Sequence, residues 1–271
     1  VPYGDRFSET QIEVYRESVF VGYRYYQKAK KAVAFPFGFG LSYTTFGYSD
    51  MKIEENGDDI TVTATVTNTG DRFGAEIVEL YVKAPITDVY KPEKELRGFA
   101  KVSLAAGESK ETAIVVKKSD LAYYNVKEKW FVIENGEYEF QLCPDCESVK
   151  LSETIKIDGE NVPSPYDKDT LSLYECSPDK ISDEAFEKMS GLKIPTLPPI
   201  KPITLESRFT DLKATFMGKI LYNAVLSVAK KDMKNALKLP EGTERDNKIK
   251  GAMFLKRILE SNSIITMSMS S

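Results

Sequence analysis

Residues 46–158 predict an antiparallel β-sandwich, and three observations carry that expectation. Apolar and polar residues alternate with period two, turn signals separate the alternating runs, and helical periodicity is nearly absent from the stretch. The chain is therefore expected to be mainly β, with helices confined to its C-terminal part. The clearest strand is 60–67, where Ile60, Val62, Ala64 and Val66 share one face and threonines occupy the other. Comparable runs follow at 45–54, 75–83, 96–104, 111–117, 130–134, 137–142 and 149–157. Asn56-Gly57-Asp58, Asn68-Thr69-Gly70-Asp71 and Ala106-Gly107-Glu108 supply turns between them, and Asn135-Gly136 predicts a two-residue hairpin between 130–134 and 137–142. Trp130, Tyr123 and Tyr124 are expected in the core and at a corner of such a sandwich. A sugar-binding platform is the competing reading, and it needs two or three of the rings exposed on one surface.

The flanks read differently. Thirty-four residues precede the hinge described below, too few to bury a core of their own. Within them Val19-Phe20-Val21-Gly22-Tyr23-Arg24-Tyr25-Tyr26 suits a strand or a short buried segment, with Arg24 stacked among the rings in preference to contacting a sugar. After Asp158, Val162-Pro163-Ser164-Pro165 reads as a linker. A short helix follows, with Ser182 as its N-cap, Asp183 and Glu184 in its first turn and Gly191 just past its end. Four prolines in residues 194–202 impose an extended spacer, which suits that role better than a peptide ligand for an SH3-type domain. Two helices close the chain. Phe209, Leu212, Phe216, Ile220, Ala224 and Val228 are spaced for one apolar face, and Thr243 with Asp246 resembles a capping box for a helix over 248–259. Residues 205–260 hold twelve Lys or Arg against seven Asp or Glu, a net +5, which leaves −9 for the rest of the −4 chain. That contrast favours docking of the helices on an acidic protein surface over binding to a membrane surface.

Composition excludes several functions. The chain has 271 residues, 42% of them hydrophobic, enough for a sizeable core. The net negative charge and a pI near 5.3 argue against a nucleic-acid partner. Histidine is absent, which removes the Ser-His-Asp arrangement and most zinc sites. Of three cysteines, Cys143 and Cys146 have the spacing of half a zinc site or a redox pair, but no second pair exists. Two reduced thiols flanking a Pro144-Asp145 turn is the expectation, with Cys176 alone. The acidic clusters Glu54-Glu55, Asp58-Asp59 and Glu93-Lys94-Glu95 read as solvated turns and strand edges rather than catalytic pairs. Gly38 and Gly40 lack the remainder of a phosphate-binding loop.

The hinge between the two textures is Phe35-Pro36-Phe37-Gly38-Phe39-Gly40-Leu41-Ser42-Tyr43, in which rings alternate with residues that restrict or free the backbone. The aromatics are expected to pack against the sandwich. All nine positions resemble the Phe-Pro-Phe-Gly-x-Gly-Leu-Ser-Tyr signature of glycoside hydrolase family 3, the β-glucosidase family. Tyr15-Arg16-Glu17, the 20–26 run and Lys94-Glu95-Leu96-Arg97-Gly98-Phe99 resemble the same family over 10–158, and 181–187 with the helices beyond resembles an extension of some bacterial members. The resemblance implies an end of an α/β-sandwich domain in 1–34, a linker in 35–45 and a fibronectin type III-like (immunoglobulin-like) sandwich in 46–158. It also implies a Pro-rich linker with a short helix in 159–203 and a helical extension in 204–271. The implied activity is retaining hydrolysis of terminal β-linked glucose, which requires a carboxylate nucleophile and a carboxylic acid. Neither family motif has a counterpart in this sequence, so no catalytic residue, cofactor or metal ligand is assigned. The implied partners are the catalytic barrel and α/β-sandwich domains of the same enzyme, with carbohydrate reached only through them. An autonomous fibronectin-like binding module is the alternative. Val1 is neither Met nor the start of a signal peptide and falls inside a family motif, so we expect the true N-terminus upstream. Reduced cysteines favour a bacterial cytoplasm, with secretion left open.

Overall fold

The structure, a computed structural model, describes residues 14–195 and 202–269. Residue contacts group 14–194 in one unit and 202–269 in a second. The prolines at 198 and 199 and most of the predicted spacer lie outside the described residues.

The first unit is built on two antiparallel sheets. One has the order β1 (Phe46–Asn56), β2 (Asp59–Asn68), β5 (Ser109–Lys117). The other has the order β4 (Glu95–Leu104), β3 (Gly74–Lys83), β8 (Gly136–Cys143), β9 (Leu151–Ile157). Alternation explains the layering. Ile60, Val62, Ala64 and Val66 of β2 meet Val78, Leu80 and Val82 of β3 and Tyr138, Phe140 and Leu142 of β8 in one buried core. β2 pairs without interruption with β5 and, across one register shift between Ser49 and Lys52, with β1, and Val62 lies opposite Ile53 and Ile114, so its inward face is enclosed on both sides. Gly98 faces the core from β4, where a Cβ would stand 2.5 Å from Ile114 Cγ2. Only glycine fits that close approach.

Asn135-Gly136 does not form the expected hairpin. Trp130–Val132 (β7) pairs instead with Tyr123–Asn125 (β6), a short strand that the alternation does not reveal. The cause is local: Asn125 Oδ1 accepts from the N–H groups of Lys127 and Glu128, and Lys129 takes a left-handed backbone with φ 55°, which folds the ribbon back on itself. With β7 already paired, residues 133–135 turn to Glu160, whose N–H donates to Ile133 O and whose carbonyl accepts from Asn135 N. Gly136 then starts β8. Trp130 is also not a core residue. It is 69% exposed, and Tyr124 and Phe131 are exposed beside it.

Residues 14–31 hold no strand and take the other expected form, a short buried segment. Gly22, at φ 58°, leads into α1 (Tyr23–Lys28). Phe20 is fully buried against Tyr90, and Tyr90 meets the buried Tyr174 edge-on. Gln27 Nε2 donates to Cys146 O, and Arg16 pairs with Asp183. The segment thus ties the sandwich to the short helices α2 (Lys168–Ser172) and α3 (Asp183–Ser190), whose Ser182 cap and Gly191 stop are as expected. The expected linker at 162–165 is strapped down too, since Asn125 Nδ2 donates to Pro163 O and Ser164 Oγ to Asp88 O. Phe20→Ala should cost about 3–5 kcal/mol, the range for a fully buried ring. A denaturant midpoint unchanged from wild type would show that this segment is not anchored.

In the second unit a 3-10 turn (Phe209–Ala214) precedes α4 (Phe216–Ala236) and α5 (Thr243–Ser261), and α6 (Ile264–Met269) follows. The predicted continuous stripe is broken at Thr215, which is extended (φ −118°, ψ 152°) and caps α4 by accepting from Gly218 N. That break resets the helical phase. Gly218, Tyr222, Ala229 and Ala236 are the buried residues of α4, and Tyr222 and Ala229 pack with Phe209 and Leu259, while Phe216, Ile220, Ala224 and Val228 are exposed. α5 starts at Thr243 itself, after Gly242, with no side-chain cap, so the predicted box does not form.

Candidate interdomain docking surface

The hinge backbone is fixed while its rings are not covered. Gly38 adopts φ +88°, Phe39 N donates to Pro36 O, and Cys146 N donates to Phe37 O. A Cβ on Gly38 would stand 2.6 Å from both carboxylate oxygens of Glu79, so the loop lies directly on the outer face of β3. Phe37 leans on Tyr23, which meets Tyr81 edge-on at 5.7 Å and accepts from Leu96 N through its hydroxyl. Farther along, Thr44 Oγ1 donates to Asn68 Oδ1. The rings were expected to pack against the sandwich, but only Phe37, 5.5 Å from the Tyr23 ring, makes such a contact, and the rest of the anchoring runs through the backbone and Thr44. Phe35, Phe37 and Phe39 are exposed, and Leu41 and Tyr43 are 92% and 90% exposed.

The surface continues onto the sheet beneath. Phe99 lies opposite Glu79 across β3 and β4, and both Phe99 and Ile77 are exposed on the outer side of that sheet. The outer face of the other sheet is different, with Thr61, Thr63, Thr65 and Thr67 alternating against the buried residues of β2. One face of the sandwich is suited to water and the other, with the hinge, to a partner.

Behind the hinge lies a buried polar cluster. Glu79 accepts from the Tyr81 hydroxyl at 2.7 Å, Lys94 Nζ donates to Gln141 Oε1 and sits 4.8 Å from the Tyr81 ring centre, and Cys143 and Cys146 close the cluster. The sequence misses this group, because Lys94 reads as part of a solvated acidic run and is instead buried. Burial pushes the Cys143 thiol up to about 11 and raises that of Cys146, so both stay protonated and unreactive near neutrality. Both are free, as is Cys176, and they flank the Asp145 turn as expected.

Burial also holds the Glu79 carboxyl above its ordinary 4.5, although the Tyr81 hydroxyl pulls the other way. A raised folded value means the folded chain takes up the proton first as pH falls. Ionised Glu79 therefore opposes folding above that value, and the penalty fades as pH falls toward the unfolded value. Glu79→Gln should raise the melting temperature at pH 7 to 8, with a gain that shrinks toward pH 4.5. A gain of constant size across that range would contradict the assignment.

The other residues singled out earlier are structural. Arg24 pairs with Glu95 at 2.9 Å and lies over the Tyr23 ring, and Glu95 also accepts from Arg97. Glu55 and Asp59 make ion pairs with Lys118 and Lys117 at the β1–β2 turn. Among the described residues no group of three or more Cys, Asp or Glu could hold a metal ion. No helix among them is long and apolar enough to cross a membrane.

Known proteins match this same region. The fibronectin type III-like domain family matches residues 76–145. A probable β-glucosidase I of Aspergillus oryzae is 47% identical over 162 residues, covering 56% of this chain and 19% of the relative. The crystal structure of the family 3 β-glucosidase of Bifidobacterium adolescentis aligns with TM-score 0.51 at 40% identity, covering 55% of this chain and 22% of that one. The chain matches the C-terminal portion of family 3 β-glucosidases. It spans about a fifth of the length of these relatives. An exo-α-(1→6)-L-arabinopyranosidase of Bifidobacterium longum is also 40% identical over 166 residues. Likeness in this portion therefore goes with more than one sugar specificity.

Proposed function

We propose that this chain is the non-catalytic C-terminal part of a retaining β-glycosidase acting on terminal β-linked glucose, and that it docks to the catalytic domains through the hinge face. The observation that carries the reading is the hinge itself: a backbone locked to the sheet by Gly38, Phe37 and Thr44 presents Phe35, Phe39, Leu41 and Tyr43 outward. A fixed backbone that turns apolar side chains to solvent, with Phe35 and Phe39 stacked 5.0 Å apart, is preorganised for a second surface. Residues 14–31 reinforce this, because they enter the same face and are anchored through Phe20, Gln27 and Arg16. The carboxylate nucleophile and acid of such an enzyme would come from the other domains. The sandwich would position them or help to shape the entrance to their site. Three free thiols suit a reducing, cytoplasmic setting.

The test is complementation. The isolated chain should not hydrolyse an aryl β-glucoside, and neither should the upstream catalytic domains alone if they depend on this face. Co-expression of the two pieces should restore turnover. Activity of the isolated chain that is lost on mutating one of its own carboxylates would overturn the proposal. A second reading, carbohydrate binding by the sandwich itself, is favoured only by the exposed ribbon rings Tyr124, Trp130 and Phe131. Tyr124 and Phe131 meet edge-on, with planes 73° apart, so the pair offers a corner and not a flat platform.

A further inference from the structure

α4 is apolar on two opposed faces, and only one has a neighbour among the described residues. Tyr222 and Ala229 pack with Phe209 and Leu259, against the 3-10 turn and α5. On the other side Phe216, Met217, Ile220, Leu221, Ala224 and Val228 are all exposed, Phe216 by 81%. At 3.6 residues per turn these six span an arc of roughly 140°. A helix with apolar residues around most of its circumference belongs in an interior with neighbours on both sides.

We infer that this face of α4 pairs with the same face of a second copy of the chain. Two properties of the face favour that occupant. First, it is self-complementary: with α4 antiparallel to its copy and Ala224 near the two-fold axis, Ile220 falls opposite Val228 of the second copy. Met217 then falls over the aliphatic stem of Lys231 of that copy. Ala224 and Ser227 are the small residues mid-helix, and they allow the backbones to approach at the axis. Second, the area is adequate: five large side chains, with a ring such as Phe216 able to bury about 150–250 Å², give a pair on the order of 1,000 Å², the size at which an interface becomes specific.

Sedimentation equilibrium of the full chain tests this. The wild type, 30.5 kDa per chain, should sediment at twice that mass in the micromolar range. Ile220→Glu should weaken association by about tenfold or more, since a charge would be buried at the centre. The residue is already exposed within one chain, so the fold should survive, and an unchanged circular dichroism melt would confirm that. Thr63→Glu, on the polar face of β2, and Phe39→Ser, on the hinge, should leave the dimer intact. Loss of the dimer on Phe39→Ser but not on Ile220→Glu would overturn the α4 assignment and place self-association on the hinge. A monomeric wild type would overturn it outright. Flotation of that monomer with phosphatidylserine vesicles, lost on Ile220→Glu, would then identify lipid as the occupant. Failure here leaves the docking proposal untouched, because that proposal is read from complementation and not from mass.

Discussion

Asn68→Ala is expected to destabilise the sandwich by about 3–5 kcal/mol, enough to unfold a marginal domain. Asn68 is fully buried at the end of β2, and its amide serves four partners. Nδ2 donates to Arg72 O and Leu104 O, and Oδ1 accepts from Thr44 Oγ1 and Gly70 N. The side chain thereby joins the two sheets and the exit of the hinge at one point. Truncation leaves two carbonyls and an N–H without this partner, the Leu104 carbonyl in a buried position and the others in part-buried ones, and each orphaned buried group costs on the order of 1–3 kcal/mol. The cycle is completed with Thr44→Val, which removes one partner and should cost about 1 kcal/mol. A urea midpoint for Asn68→Ala within error of wild type would show that water replaces the amide without loss.

The hinge should give the opposite profile. Leu41→Asp with Tyr43→Asp should change the stability of the isolated chain by no more than about 0.5 kcal/mol, because both side chains stand in solvent. The same pair should lower the affinity for the catalytic domains by about a hundredfold, the scale of losing two buried apolar anchors from an interface. Titration of the separately expressed domains by calorimetry reads the second number. Destabilisation of the isolated chain with no loss of affinity would mean that the rings serve this chain alone.

Most of the sandwich was legible because its strands have one wet and one dry face. The alternation of Ile60, Val62, Ala64 and Val66 reports the layer directly, and β1 to β5, β8 and β9 follow from the same signal. The ribbon was not legible, since three-residue strands such as β6 are too short to show a period. Asn135-Gly136 misled because turn chemistry states a local preference, and the Asn125 turn had already taken the strand before it. In α4 the spacing was real but belonged to an outward face, and spacing alone does not distinguish a face turned to the core from one turned to a partner. The hinge shows the same ambiguity. Its motif gave the location, while the expected packing of its rings on the sandwich is made by Phe37 alone. Hydrophobic rings are expected inside, and what they are inside of can be another domain. The buried cluster carried no readable signal, because Glu79 and Tyr81, two residues apart on β3, meet Lys94, Gln141 and Cys143 only once β8 pairs with β3.

The most direct measurement is carbene footprinting of Phe35, Leu41 and Tyr43 in two samples, the isolated chain and the same residues within the full-length enzyme. The account predicts heavy labelling of all three in the isolated chain and strong protection in the enzyme, with Thr61 and Thr63 labelled alike in both. Equal labelling of the hinge rings in the two samples would contradict it.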